Sequence, residues 1–225
     1  MTMVIAYTWQ DKIIMMADSR ESRKDSEGKI VEFNDDQTKL IPVNKKVVIG
    51  NAGLRKVYLG QGQYYDLNNI TQYFVEKNEQ LILMRPGKES LKALVDMWNK
   101  TLSENLGRDP YIPANSYCFL LAKWEHNEEG FLVPHINTYQ SHFNEFQYGG
   151  KYAVVGDDAV YRIIEPFFDT NTDDWTFEEV LDHYKKGYVE VMKKVDSVGG
   201  PIDVYVLEAN SYGSHWYNRK IKKPE

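Results

Sequence analysis

The chain of 225 residues contains a single cysteine, Cys118. One thiol excludes an internal disulfide and a zinc site built from several thiolates. Cys118 lies in the apolar segment SYCFLLA, which predicts a buried and unreactive side chain. The histidines are also few and scattered, and no pair of them has the spacing of metal ligands: His126, His135, His142, His183 and His215. We therefore expect neither a metal nor a cofactor.

Long apolar runs and long basic runs are absent as well. No stretch approaches the roughly 18 apolar residues that span a membrane, and the N-terminal segment has no basic region typical of a targeting signal. The formal net charge of −6, without a long Lys/Arg run, argues against a nucleic-acid surface. Since 42% hydrophobic and 27% charged residues are typical of soluble globular proteins, we expect a cytoplasmic protein that binds neither nucleic acid nor membrane.

The apolar periodicity predicts strands, then helices, then strands, then a helix and final strands. Predicted strands cover residues 3–9, 13–18, 29–33, 38–43, 47–53, 116–124, 130–139, 145–156, 201–209 and 214–221. Helices are predicted at 55–82 and 87–107, and Thr176 with Glu179 forms a capping box that begins a third helix. This order predicts an α+β protein with two antiparallel sheets and helices packed outside them. No linker or repeat divides the chain, so we expect one domain over residues 1–225.

Five segments, in matching order along the chain, resemble the proteasome β-type subunits, which belong to the N-terminal nucleophile (Ntn) hydrolases. The segments are TMVIAY (2–7), MMADSR (15–20), TKLIPVNKKVVIGNAG (38–53), YAVVGDD (152–158) and VDSVGGPIDVYVLE (195–208). The resemblance covers essentially the whole chain, with extra residues at 21–37 and between the two middle helices. It implies a four-layer αββα sandwich of two antiparallel sheets flanked by helices.

The resemblance also implies a nucleophile, Thr2, which an aminopeptidase would expose by removing Met1. A hydroxyl is a weak nucleophile until a base accepts its proton, and a freed α-amine with a reference pKa of about 8 can be that base. By the same resemblance, a buried Lys39 ammonium favours the developing alkoxide, and Asp18 stabilises that ammonium by a charge-assisted hydrogen bond. The backbone N–H of Gly53 would face the oxyanion.

Two further site positions lie in the later segments. Asp157 stands where the family has the serine of a Gly-Ser-Gly turn; its carboxylate can accept the same hydrogen bond from the Thr2 amine, and its charge would raise the pKa of that amine. Asp196 matches the aspartate of the family's Asp-x-x-Ser-Gly-Gly motif. The serine of that motif is absent, and Ser197 stands out of register with it.

The resemblance places the main specificity pocket of the family beside Asn51 and Arg55, by a gapless register from Lys39 to Gly53. These two residues predict a polar and partly basic pocket. We therefore expect substrates with acidic or polar side chains.

Threonine-dependent hydrolysis of peptide or small amide bonds is the function that this pattern favours. The resemblance further implies a homo-oligomer, such as a ring, and an unfoldase ATPase as a candidate partner. Two alternatives stay open: a non-catalytic assembly subunit that keeps the fold, and an amidase acting on small molecules. Each site residue taken singly also has a simpler explanation, as a strand end, a turn, an exposed lysine or a bend: Thr2, Asp18, Lys39 and Gly53.

Overall fold

The computed structural model of the protein describes residues 3–24, 30–60, 63–104 and 117–219. The elements of the first half are β1 Met3–Trp9, β2 Lys12–Asp18, β3 Glu21–Lys24, β4 Ile30–Asn34, β5 Leu40–Val43, β6 Val47–Gly53, β7 Lys56–Gly60, β8 Gln63–Asp66, α1 Asn68–Met84 and α2 Gly87–Glu104. Those of the second half are β9 Tyr117–His126, β10 Leu132–Gln140, β11 Glu145–Tyr148, β12 Tyr152–Gly156, α3 Asp158–Phe168, α4 Phe177–Lys194, β13 Ile202–Glu208 and β14 His215–Asn218.

Within the described ranges, the strands form two five-stranded antiparallel sheets and two separate hairpins. The first sheet has the order β12-β1-β2-β13-β14, and the second has the order β11-β10-β9-β6-β5. The hairpins pair β3 with β4 and β7 with β8. The predicted combination of antiparallel sheets with helices is therefore confirmed.

Strand β1 is a continuous apolar run from Met3 to Tyr7 because both of its faces are buried. Successive side chains of a strand point to opposite faces, and Val4 and Ala6 belong to a cluster that joins residues of the two sheets, including Val48 and Leu120. The alternate side chains, of which Ile5 is one, lie in a second cluster together with residues of α3 and α4. A continuous apolar run is the expected pattern for such a strand.

Helices α1 and α2 share a third cluster with the second sheet. Trp98 is its largest fully buried side chain, and it packs edge-on against Phe119 of β9 with ring centroids 5.0 Å apart. The indole N–H of Trp98 donates to the Thr71 hydroxyl at 3.0 Å, so burial leaves this polar group bonded.

The structure corrects the predicted helix at 55–82. Lys56–Gly60 and Gln63–Asp66 pair as the hairpin β7–β8, and α1 begins only at Asn68. The hairpin β3–β4 includes a strand, Glu21–Lys24, that the periodicity did not indicate, and helix α3 was likewise not identified. Helix α4 agrees with its predicted start, because Thr176 and Glu179 form the capping box in the structure.

The segment predicted as one strand at 145–156 is two strands in different sheets. Strand β11 pairs with β10 and β12 pairs with β1. Between them Gly149 and Gly150 have φ angles of 80° and 121°, which side chains disfavour. This glycine pair lets the chain pass from one sheet to the other. The predicted ends of the second helix at Gly107 and of the last strand at 221 lie outside the described residues.

Gly50 on β6 provides a test of the close contact between the sheets. A Cβ atom there would lie 2.6 Å from Val4 Cγ1 and 3.1 Å from Met15 Cε. We expect Gly50→Ala to lower the free energy of unfolding by about 1–3 kcal/mol through overpacking, as measured by urea denaturation. The double variant Gly50→Ala/Val4→Ala should recover part of the loss. An unchanged unfolding midpoint for Gly50→Ala would contradict this packing.

Candidate active site

Asp18, the last residue of β2, is the centre of a buried polar cluster. Its Oδ1 accepts the backbone N–H of Met3 and the Lys39 ammonium, each at 2.9 Å. Its Oδ2 accepts the backbone N–H groups of Arg20 at 3.2 Å and Gly199 at 3.1 Å. A buried carboxylate is costly unless its oxygens are bonded to donors, and these contacts from four parts of the chain supply them.

Lys39, directly before β5, is the cation of this cluster. Its side chain is only 6% exposed, and its Nζ also donates to the carbonyl oxygen of Arg20 at 2.6 Å. Burial lowers the pKa of Lys39 from its usual value, while the charge of Asp18 and its hydrogen bond act in the opposite direction. Arg55 adds to the lowering, because a nearby positive charge disfavours a second one.

The start of β1 is fixed from two sides. Beyond the bond from its N–H to Asp18, Met3 accepts the hydroxyl of Tyr188 through its carbonyl oxygen. The same hydroxyl contacts the carbonyl oxygen of Met16 at 3.3 Å. Burial raises the pKa of Tyr188 well above its usual value, so this hydroxyl stays a donor. The expected nucleophile Thr2, and Met1 with it, lie outside the described residues.

Gly53 and Asn51 lie on β6, whose end runs beside Lys39. The N–H of Asn51 donates to the Lys39 carbonyl oxygen at 3.0 Å, and the Asn51 side chain is buried. Gly53 ends the strand with φ of 100°, a conformation that favours glycine. Asn51 therefore contacts Lys39 directly, and Gly53 lies two residues further along the same strand.

Arg55 is engaged by other groups in the structure. Its Nε and Nη2 donate to one Asp66 carboxylate oxygen at 3.3 and 3.1 Å, and its Nη1 contacts the Thr38 carbonyl oxygen at 3.4 Å. This ion pair offsets the positive charge that the sequence assigned to a specificity pocket. The sequence indicated Arg55 but not its partner Asp66, because Asp66 lies on β8, a strand that the sequence did not predict.

Asp157 and Asp196 occupy different positions relative to the cluster. Asp157 caps α3, its Oδ1 accepting the Ala159 N–H at 3.0 Å and its Oδ2 the Ser197 hydroxyl at 3.4 Å. It directly follows Gly156, which is paired with Met3 in the sheet. The Asp196 side chain is exposed, and its carbonyl oxygen accepts Arg20 Nη1 at 3.3 Å.

Arg20 and Tyr188 are the contacts that sequence reasoning missed. Arg20 was visible only as the end of MMADSR, and Tyr188 only as a member of the apolar stripe of α4. A tyrosine in such a stripe is a usable signal, since a buried hydroxyl needs a hydrogen-bond partner.

Other candidate chemistry is limited in the part of the chain that the structure describes. Cys118 is buried, and burial raises the pKa of its thiol to about 11. Over residues 3–24, 30–60, 63–104 and 117–219 there is no group of three or more His, Cys, Asp or Glu side chains that could hold a metal ion. Among the helices in these same ranges, none has the length and apolarity to cross a membrane.

The buried ion pair gives a stability prediction. Asp18→Asn leaves the Lys39 ammonium buried without its carboxylate, and we expect a loss of about 3–5 kcal/mol in the free energy of unfolding. Urea denaturation at neutral pH measures this loss. The double variant Asp18→Asn/Lys39→Met removes both charges and should recover part of it. A double variant no more stable than Asp18→Asn would contradict the assignment of the loss to the unpaired ammonium.

The same variant has a defined pH dependence. Because the pKa of Lys39 is lower in the folded chain than in the unfolded chain, the unfolded chain binds more protons between these two values, and stability rises with pH across that window. Removing Asp18 extends the window to lower pH. The deficit of Asp18→Asn should therefore shrink as the pH rises from the Lys39 pKa of the folded variant to that of the folded wild type, and should stay constant above it. A deficit that grows across this window would contradict the sign.

Comparison with solved structures finds a similar fold in a Gly-1 mutant of Anbu from Hyphomicrobium sp. strain MC1. The TM-score is 0.65 and the sequence identity 14%, over 96% of this chain and 86% of that chain. No protein-family model and no curated protein matches the sequence. At this identity the similarity concerns the fold alone. The chain therefore has a fold similar to that of Anbu.

Proposed function

We propose that the chain is a threonine-dependent amide hydrolase in which Thr2, freed by removal of Met1, is both nucleophile and base. One observation carries the proposal: Asp18 Oδ1 bonds at once to the Lys39 ammonium and to the backbone nitrogen of Met3. That nitrogen is covalently joined to the carbonyl carbon of Thr2. A buried ammonium is thereby held at the chain segment that directly follows the threonine.

The reaction uses the amine and hydroxyl of one residue. The neutral α-amine of Thr2 accepts the hydroxyl proton while Oγ1 bonds to the substrate carbonyl carbon. The C–N bond of the substrate then breaks, and its nitrogen leaves with the proton from the α-ammonium. Water, deprotonated by the same amine, hydrolyses the resulting ester and restores the hydroxyl. Lys39 lowers the free energy of the alkoxide that develops during attack.

The remaining site residues have supporting roles in this proposal. The N–H of Gly53 donates to the oxyanion. Asp157 accepts a hydrogen bond from the Thr2 amine in this proposal. Among the described residues each of its oxygens has one donor, and a carboxylate oxygen can accept two. Asp196 contributes through its carbonyl contact with Arg20.

The substrate is a peptide or small amide with a polar side chain next to the cleaved bond. Asn51 and Arg55 line the side-chain pocket in this proposal. The Arg55–Asp66 ion pair offsets the pocket's charge, which favours neutral polar side chains over acidic ones.

We further propose a single domain over residues 1–225 with the layer order helices, sheet, sheet, helices. The three apolar clusters support this order, because one contains residues of both sheets and each of the others joins one sheet to one helix pair.

We also propose that the chain associates with copies of itself. Exposed apolar side chains along α1 support this self-association: Tyr73, Leu81 and Met84, exposed by 54%, 44% and 81%.

The nucleophile is tested by intact mass. We expect the purified native protein to be one methionine lighter than the full sequence and to gain the mass of an epoxyketone probe, which needs both the hydroxyl and the free amine of a terminal threonine. Thr2→Ala should not gain this mass, and its peptide hydrolysis should fall on the order of 10³-fold or more, because the nucleophile is lost. Thr8→Ala is the matched control, since Thr8 lies on β1 and its hydroxyl donates to the carbonyl oxygen of Lys151 at 3.1 Å.

Two outcomes would support the alternatives instead. A chain that keeps Met1 and is inert to the probe would favour the non-catalytic assembly subunit. A chain that gains the probe but is a monomer or dimer by native mass spectrometry would favour a small-molecule amidase over a protease chamber.

Substrate choice is tested at Asp66. Asp66→Asn removes the carboxylate that pairs with Arg55, so the guanidinium becomes available to an acidic substrate side chain. We expect kcat/KM for an acidic fluorogenic peptide to rise about tenfold relative to a neutral polar one, the scale of one charge-assisted hydrogen bond. Arg55→Gln in the same background should abolish the gain. If the wild type and Asp66→Asn both hydrolysed only peptides with large apolar side chains, the result would contradict a polar pocket.

A further inference from the structure

Arg20 touches both members of the buried ion pair through its main chain. Its N–H donates to Asp18 Oδ2 at 3.2 Å, and its carbonyl oxygen accepts Lys39 Nζ at 2.6 Å. A displacement of the Arg20 backbone would therefore disturb the carboxylate and the ammonium together. What holds Arg20 in place also holds the geometry of the candidate site.

The Arg20 side chain is held chiefly by Asp35. Nε donates to Asp35 Oδ1 at 2.8 Å and Nη2 to Asp35 Oδ2 at 3.0 Å, a two-bond pairing that fixes the plane of the guanidinium. Nη1 contacts the Asp196 carbonyl oxygen, and Cζ lies 4.2 Å from the centroid of the Phe33 ring. Asp35 and Phe33 both belong to the segment 21–37, which is extra relative to the proteasome β-type subunits.

The guanidinium also occupies the space beside Gly199. A Cβ atom at Gly199 would lie 2.3 Å from Arg20 Cζ and 2.5 Å from Nη1, closer than real Cβ contacts. Counted from Asp196, the serine of the Asp-x-x-Ser-Gly-Gly motif falls at Gly199; counted back from Gly199 and Gly200, it falls at Val198. The guanidinium thus lies where a side chain at position 199 would begin, and the N–H of Gly199 donates to Asp18 Oδ2 at 3.1 Å.

We propose that Asp35 is a positioning residue of the candidate active site, acting through Arg20 on the Asp18–Lys39 pair. The effect of Asp35 on hydrolysis rests on the proposed function, whereas its effect on the Asp18–Lys39 pair does not. It assigns the residue after β4 a role in the site: the Asp35 carboxylate fixes the guanidinium that lies beside Gly199.

The charges around Lys39 make this role measurable. Burial is the main cause that lowers the pKa of Lys39, and Arg55 lowers it further. Asp18 raises this pKa, and Asp35 raises it as well. Removing the Asp35 charge should therefore lower the pKa of Lys39 further. If Lys39 must be charged for hydrolysis, the fall of kcat/KM at alkaline pH then begins at lower pH.

The experiment compares Asp35→Asn, Asp35→Glu and a matched control, Glu21→Gln, which removes a carboxylate of the same hairpin that pairs with Lys56 at 3.1 Å. The Lys39 side chain is titrated by NMR, with its signal assigned by its loss in Lys39→Arg. We expect a lower Lys39 midpoint in Asp35→Asn, a value near wild type in Asp35→Glu, and no change in Glu21→Gln. In parallel, kcat/KM of Asp35→Asn at neutral pH should fall about tenfold, with the change mainly in kcat.

An unchanged Lys39 midpoint in a folded Asp35→Asn, or an equal shift in Glu21→Gln, would overturn the inference. If Asp35→Asn does not fold, Arg20→Lys decides the question: it keeps the cation but not the two-bond pairing, and unchanged kcat in that variant would overturn the inference too. A wild-type protein that hydrolyses nothing would refute the proposed function, while the Lys39 titration would still test the role of Asp35.

Discussion

The ion pair between Lys39 and Asp18 joins the two sheets. Asp18 ends β2 in the first sheet and Lys39 directly precedes β5 in the second. Their charged atoms lie 2.9 Å apart, and both side chains are buried. Burying two charges is unfavourable unless their hydrogen bonds are complete. The backbone N–H groups that complete them come from Met3 at the start of β1, from Arg20 just after β2 and from Gly199. These segments are consequently fixed relative to one another.

The spacing of the sheets and the geometry of this pair depend on each other. Gly50 pairs with Leu40, the residue after Lys39, and leaves room for Val4 from the first sheet. Small residues in the cluster between the sheets, such as Ala17 beside Asp18, allow a close approach. Larger side chains there would separate the sheets. Because the ammonium and the carboxylate belong to different sheets, that separation would stretch their contact.

Local patterns predicted much of the fold, and contacts between distant segments account for what they missed. Strand β1 and the start of α4 could be predicted because the apolar run and the capping box each lie within a few consecutive residues. Helix α3 contains Pro166, which normally argues against a helix interior, and the hairpin β7–β8 lacks a clear alternation. In the site, the resemblance indicated Asp18 and Lys39. The Arg20–Asp35 pairing and the Tyr188 hydroxyl bond could not be predicted, because they depend on side chains brought together only by the fold.

The missing serine does not by itself indicate a lost active site. The space at Gly199 is filled by the Arg20 guanidinium, and the backbone N–H there still serves Asp18. A scaffold without chemistry would gain little from the Lys39–Asp18 pair, since apolar residues of similar volume are often as stabilising as a buried ion pair, or more so. A buried ammonium whose pKa is lowered by its surroundings is instead typical of a site that works on protons and developing charge. The physical cost of the pair therefore favours the hydrolase over the scaffold.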